Sequence, residues 1–122
     1  TMYMIQPEPV VIEDLCAYLD RNPDIVTLVA HIRAGEVPKL EAQLSARENL
    51  FIDISGFKDG LFTVDNAWEN TAARGHIVYG SGAPLMEMQS TTMQIDTAHL
   101  EESAKNEMFS GEKLLALLHQ IV

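Results

Sequence analysis

Short apolar stretches alternate with longer amphipathic stretches along most of the chain, and this alternation predicts strands that are each followed by a helix. Four stretches have the composition of strands, at residues 2–6, 25–31, 50–56 and 76–82. The segments between them have apolar residues at helical spacing. The last three stretches begin 25 and then 26 residues apart, which suits a strand followed by a crossover helix. We therefore predict four βα units.

The apolar runs IVTLVAH, LFIDISG and HIVYGSG are nearly continuous, as is typical of parallel strands covered on both faces. We expect Pro9 to open the first helix and Pro23 to end it. Thr63 is predicted to cap the third helix and Gly75 to stop it. The tail after the last strand is predicted to form three helices. Together these features indicate a single α/β domain over residues 1–122 with a helical C-terminal tail.

Composition narrows the classes of function. The chain has 8 Lys and Arg against 18 Asp and Glu, a net charge of −10, which argues against nucleic acid and anionic membranes as partners. No apolar stretch approaches the roughly 20 residues that span a bilayer. Because the first residues do not resemble a secretory signal, we expect a cytoplasmic location. The single Cys16 cannot form an internal disulfide, and its position on an apolar helical stripe predicts a buried, inert thiol.

Three motifs carry a resemblance to a known family. In this order and spacing, NPDIVTLVAH, ENLFIDISGF and HIVYGSGAP resemble the C-terminal half of amidohydrolase-superfamily enzymes of the amidohydrolase-2 type. The closing SAKNEMFSGEKLLALL is similar to the helix pair that ends such chains. The resemblance implies a (β/α)8 TIM barrel with its active site at the C-terminal ends of the strands. This chain would then supply strands five to eight, a partial barrel of four parallel βα units.

The resemblance also implies a metal-dependent hydrolase that hydrolyses or decarboxylates a small carboxylate or amide-type substrate. Such enzymes hold a zinc-like divalent metal with histidines on the first, fifth and sixth strands and an aspartate at the end of the eighth. A metal held in this way lowers the pKa of bound water towards about 7. His31 matches the sixth-strand metal ligand, whereas Gln6 and Gly82 stand where the fifth-strand histidine and the aspartate are expected. We therefore expect a divalent metal in a full-length protein, but neither tight metal binding nor catalysis in this chain alone.

No residue is assigned a catalytic role, but five are candidates for lining a pocket at the strand ends: Gln6, Arg33, Asp53, Ser55 and Ser81. Asp53 and Ser55 are two residues apart and are expected on one face of a strand. The guanidinium of Arg33 could hold a substrate carboxylate or pair with Glu36. Ser81 lies between two glycines, which permit a tight backbone turn beside a site. Of the other histidines, His76 is expected to be structural, and His99 and His119 are expected to be surface or packing residues.

Two other interpretations remain open. The chain could be a non-catalytic assembly or small-molecule-binding α/β module, in which a second copy closes the sheet and removes its exposed edges. The expected protein partner is therefore either a second copy, giving a homo-oligomer, or a missing N-terminal half-barrel. The other interpretation is an open flavodoxin-like domain that binds a ligand at the carboxyl ends of its strands. Against it, no strand is followed by a Gly-rich phosphate loop.

Overall fold

The computed structural model describes residues 11–57, 63–81 and 88–121, and these form an α/β architecture. Its α-helices are α1 (Ile12–Arg21), α2 (Glu41–Ala46), α3 (Thr63–Glu69), α4 (Met88–Asp96), α5 (Glu102–Ser110) and α6 (Glu112–Ile121). Its strands are β1 (Thr27–Val29), β2 (Leu50–Asp53) and β3 (Ile77–Val78). Two 3₁₀ helices, Ala34–Leu40 and Ile54–Gly56, follow β1 and β2.

The three strands form one parallel sheet in the order β1-β2-β3. Leu28 of β1 lies opposite Phe51 of β2, and Ile52 of β2 lies opposite Ile77 of β3. Parallel pairing of the last three predicted strands is therefore confirmed. The first predicted strand, at residues 2–6, lies outside the described residues.

The strands are shorter than predicted, and β2 shows why. The Oδ1 atom of Asp53 accepts a hydrogen bond from the backbone N–H of Ser55 at 3.0 Å. This local bond competes with the strand ladder and turns the chain into the second 3₁₀ helix. The prediction that Asp53 and Ser55 share one strand face was therefore wrong, because Ser55 lies in the turn after the strand.

The helices largely follow the amphipathic pattern. The first predicted helix is present as α1, but its predicted start at Pro9 lies outside the described residues; the tail contains the three expected helices, α4, α5 and α6. Thr63 lies within α3 rather than before it, so the prediction that it caps this helix was wrong. Gly75 does not end α3, which stops at Glu69; it closes the following turn at φ +84°. Within the described residues, no helix is long and apolar enough to cross a membrane.

The core lies between the sheet and its helices. It is built mainly of aliphatic and aromatic side chains from both layers, including Leu19, Leu40, Leu44, Leu50, Ile52, Ile54, Phe57, Ile77, Ile95 and Met108. Cys16 packs against this core but is only partly buried. Desolvation raises the pKa of its thiol, and the nearby carboxylates of Asp20 and Glu13 raise the pKa further, so a thiolate is disfavoured.

Candidate functional site

Polar side chains follow the carboxyl ends of all three strands. His31 comes two residues after β1, Asp53 is the last residue of β2, and Ser81 comes three residues after β3. Because the strands are parallel and adjacent, their carboxyl ends meet at one edge of the sheet. We call His31, Asp53, Ser55 and Ser81 the polar rim.

Ser55 joins Asp53 to His31. Its hydroxyl Oγ–H donates to Oδ1 of Asp53 in a short hydrogen bond. The same Oγ accepts the backbone N–H of His31 at 3.3 Å and lies 3.4 Å from Nδ1 of the imidazole. Ser55 is only 2% exposed, whereas His31 is exposed. A buried hydroxyl therefore links a carboxylate on one strand to an imidazole beyond the neighbouring strand.

The backbone of His31 has a conformation that side-chain-bearing residues rarely adopt. Its φ is +60°, and among the described residues it is the one non-glycine residue with positive φ. The left-handed region costs about 1–2 kcal/mol for a residue with a Cβ. Such strain persists where surrounding contacts enforce it, and it clusters at functional sites. The bond from the His31 backbone to Ser55 is one contact that holds this conformation.

Two glycines allow the close approach of chain segments at the rim. A Cβ at position 56 would lie 2.3 Å from the carbonyl oxygen of Ile32 and 2.5 Å from the carbonyl carbon of His31. A Cβ at position 80 would lie 2.7 Å from Cγ of Asp53. Gly56 therefore lets the turn after β2 press against the His31 backbone, and Gly80 leaves the space that the Asp53 carboxylate occupies.

The remaining pocket candidates are less closely joined to this group. Arg33 is exposed, and its backbone N–H donates to Oε2 of Glu36 at 3.3 Å at the start of the first 3₁₀ helix. Ser81 is half-buried at the strand edge. Gln6 lies outside the described residues. The structure thus joins three of the predicted residues, His31, Asp53 and Ser55, by hydrogen bonds.

The opposite, amino edge of the sheet holds His76. Its Nδ1 lies 2.7 Å from the carbonyl oxygen of Leu50, and its own carbonyl oxygen accepts the backbone N–H of Ile52 at 2.8 Å. Its ring also lies 6.1 Å from the ring of Phe51, centroid to centroid. These contacts fit the structural role that was predicted for His76.

Sequence reasoning missed the acidic residue Asp65. It is 9% exposed, and its Oδ1 accepts the backbone N–H of His99 at 2.6 Å. The bond joins the middle of the α4–α5 connection to α3. The sequence does show a carboxylate in the first turn of α3. It does not show the partner of that carboxylate, because His99 lies 34 residues further along the chain.

The described residues do not fit a metal on their own. No group of three or more His, Cys, Asp or Glu side chains among residues 11–57, 63–81 and 88–121 is arranged to hold an ion. Stable zinc sites use three or four ligands. At the rim, Oδ1 of Asp53 is occupied by two donors from Ser55. Among the described residues, the rim is a hydrogen-bonded group of polar side chains.

Two clefts flank the sheet. One, of about 340 Å³, lies between the first 3₁₀ helix and α3, with Gly35, Val37, Asn66 and Asn70 among its lining residues. The other, of about 400 Å³, lies at the amino edge beside His76 and Lys113. Neither cleft is lined by His31, Asp53, Ser55 or Ser81.

Comparisons of the chain with models of protein families, with curated proteins and with solved structures found no match.

Proposed function

We propose that the polar rim is part of a small-molecule site and that the chain contributes the last strands of an amidohydrolase-like barrel. The reaction proposed for the complete site is hydrolysis or decarboxylation of a small carboxylate or amide-type substrate. The observation that carries the proposal is the hydrogen-bonded series Asp53–Ser55–His31 at the carboxyl edge of a parallel sheet. Ligands of α/β folds bind at this edge.

The order of the sheet fits successive strands of a barrel and equally fits one half of a doubly wound sheet, and the polar rim is what favours the barrel. The three strands are neighbours in chain order, and the order does not reverse within the described residues. A doubly wound fold places its ligand where the strand order reverses. A barrel instead builds its site from the loops after successive strands. The rim, which draws on the ends of all three described strands, suits the second arrangement.

The proposal involves no metal-dependent step in this chain. His31 is the one rim residue that matches a metal ligand of the family. Further ligands would have to come from outside the described residues. What the rim residues themselves can do is accept and donate hydrogen bonds and hold a proton. We accordingly propose that this chain alone binds substrate-like molecules without turning them over.

Ligand-detected NMR with a panel of small carboxylates and primary amides tests the proposal. We expect weak binding, with dissociation constants of about 1 mM or above. His31→Ala should abolish this binding. The matched control is His119→Ala, since His119 is an exposed histidine in the last turn of α6. It should bind as the wild type does.

Two results would argue against the proposal. One is the absence of binding to any member of the panel. The other is binding that both alanine variants retain, since the ligand would then sit away from the rim. Slow turnover of an ester or amide by the wild-type chain, lost in His31→Ala, would contradict the narrower claim that this chain alone is inactive.

A second candidate function is assembly with another copy of the chain. Leu28, at the centre of β1, is 46% exposed, and Ile25 just before the strand is equally exposed. Among the described strands, β1 pairs on one side only, with β2. Apolar side chains along a strand edge favour association with another sheet.

Light scattering over a range of protein concentrations tests assembly. A dimer that Leu28→Lys converts to a monomer would support association through β1. The control is Leu115→Lys, because Leu115 is similarly exposed but lies on α6. A monomer at every concentration would exclude this second candidate.

A further inference from the structure

We propose that Asp53 and Ser55 are positioning residues that hold the neutral imidazole of His31 with its hydrogen on Nδ1. The Nε2 atom is then the hydrogen-bond acceptor that the rim offers to a hydroxyl or amide N–H of a ligand. The inference rests on the proposed function only for the presence of a ligand. The state of the His31 ring follows from the hydrogen bonds alone.

The hydroxyl of Ser55 has one hydrogen to donate and two lone pairs to accept with. It donates that hydrogen to Oδ1 of Asp53. An ionised carboxylate can only accept, so the Ser55 hydrogen is used there. Both remaining positions on Oγ are lone pairs, and any other group that bonds to Oγ must donate.

His31 supplies both of the groups that donate to Oγ of Ser55. Its backbone N–H, which can only donate, lies 3.3 Å from Oγ and fills one lone pair. Its Nδ1 lies 3.4 Å from the same Oγ and faces the second lone pair. Since Oγ has no second hydrogen, Nδ1 must carry one. In the neutral ring Nε2 then has a lone pair and no hydrogen.

The arrangement is fixed from both sides. Ser55 is buried, and Gly56 beside it packs directly on the carbonyl groups of His31 and Ile32. Two residues beyond the end of β3, Gly80 leaves room for Asp53 and no room for a Cβ. In the positive-φ conformation of His31, its backbone N–H and its ring both contact the same hydroxyl. These contacts together orient the imidazole.

The negative charge of the Asp53 side chain also affects which ligands the rim prefers. Asp53 places a negative charge on the β2 side of the site, and the chain as a whole carries a net charge of −10. A ligand carboxylate would meet like charge, which is unfavourable. A neutral amide or alcohol avoids that repulsion and supplies the donor that Nε2 requires. Within the substrate classes proposed above, the inference favours the amide type.

Nitrogen-15 spectra of the histidine side chains test the inference, because the shifts of the two ring nitrogens distinguish the tautomers. At a pH where the ring is neutral, we expect His31 as the Nδ1–H form. His76 should be in the same form, since its Nδ1 donates to the carbonyl of Leu50. His119, exposed on α6, provides the reference for a solvated ring.

Ser55→Ala is expected to convert His31 to a predominantly Nε2–H ring and to leave His76 unchanged. If Ser55→Ala does not fold, Gly80→Ala tests the same connection, because a Cβ there must displace the Asp53 side chain. A wild-type His31 in the Nε2–H form would overturn the inference. So would an Nδ1–H form that survives in both variants.

The ligand preference is read from the same spectra with acetamide and acetate as matched probes. Acetamide should shift the Nε2 resonance of His31 more than acetate does, and the difference should disappear in Ser55→Ala. A larger response to acetate would overturn the preference. The tautomer of His31 is measured without ligand, so an unexpected tautomer would overturn this inference alone. Failure of the proposed function would instead appear as no response of His31 to either probe.

Discussion

His31 and His76 lie at opposite ends of the same parallel sheet, and their surroundings differ in kind. The ring of His76 bonds to a main-chain carbonyl, and its own carbonyl is part of the ladder between β2 and β3. The ring of His31 bonds to a side chain, in a backbone conformation that costs free energy. The contacts of His76 tie it to the sheet backbone. Under the proposed function, the strained conformation of His31 serves a ligand site.

The same contrast extends to the neighbours of each histidine. At the amino edge, Gly75 completes a turn, and Lys113 pairs with Glu107 at 2.8 Å. At the carboxyl edge, Asp53 and Ser55 bond chiefly to each other and to His31. Under the proposed function, this group of mutually bonded side chains forms part of a ligand site at the carboxyl edge of the sheet. The predictions below test this difference.

The largest expected difference in stability is between substitutions of Gly56, at the carboxyl edge, and Gly75, at the amino edge. Gly56→Ala places a methyl group against rigid backbone and should lower the free energy of unfolding by about 3 kcal/mol. In Gly75→Ala the new methyl group contacts only the flexible end of the Lys113 side chain. The positive φ at this position should then account for most of the loss in stability, about 1 kcal/mol. Gly35→Ala is the control, since nothing lies within 4 Å of its Cβ position. Urea unfolding measures all three, and equal losses at positions 56 and 75 would remove the contrast.

The two histidines themselves should respond differently to glycine. His76→Gly leaves the Leu50 carbonyl without its donor and should cost about 2 kcal/mol. His31→Gly relieves the left-handed strain, which roughly offsets the lost bonds and the greater freedom of glycine in the unfolded chain. We expect the stability of His31→Gly to lie within about 0.5 kcal/mol of wild type. Thermal unfolding followed by circular dichroism measures both, and a loss of similar size for His31→Gly would show that His31 serves the fold.

A double-mutant cycle tests whether the rim acts as a unit. Asp53→Ala and His31→Ala should be coupled by about 1 kcal/mol in stability, because Ser55 bonds to both side chains. The same cycle between Asp53 and His76 should give a coupling near zero. Denaturant unfolding of the single and double variants provides the numbers. Additive effects for Asp53 and His31 would mean that Ser55 does not connect them.

The smallest expected effect on stability comes from removing the ion pair between Lys113 and Glu107 at the amino edge. Lys113 is 61% exposed and its partner Glu107 is 30% exposed. Ion pairs of this kind are largely screened by solvent, so Lys113→Ala should change the free energy of unfolding by no more than about 0.5 kcal/mol. Urea unfolding at low and high salt checks this. A salt-dependent loss well above that value would show that the amino edge depends on its charges.

Much of the fold follows from local pattern. Continuous apolar runs predict parallel strands, and IVTLVAH, LFIDISG and HIVYGSG contain β1, β2 and β3. The predicted burial on both faces holds for most of β2 and β3 but not for β1, where Leu28 is 46% exposed. Leu40 and Leu44 have the four-residue spacing of a helix face, and both are buried, Leu40 at the end of the first 3₁₀ helix and Leu44 in α2. These features depend on residues close together in the chain, so sequence alone carries them. The strand ends were less predictable, because the bond from Ser55 to Asp53 ends β2 early.

The candidate site was predictable in its members but not in its connections. Asp53, Ser55 and His31 each stand out because polar residues at the ends of apolar strands are conspicuous. The bond between Ser55 and His31 spans 24 residues, and no local pattern encodes it. The positive φ of His31 could not be predicted from the sequence either, because histidine adopts positive φ far less readily than glycine does. Gly80 acquires its role only because Asp53 occupies the space above it.

The most direct test of the account is to map where a small molecule binds along the sheet. Backbone amide spectra of the wild-type chain, recorded during titration with acetamide, report on both edges at once. The account predicts shifts confined to the amides of the carboxyl edge, with His31, Ser55 and Ser81 foremost. Shifts centred on His76 and Lys113, or no localised shifts, would contradict it.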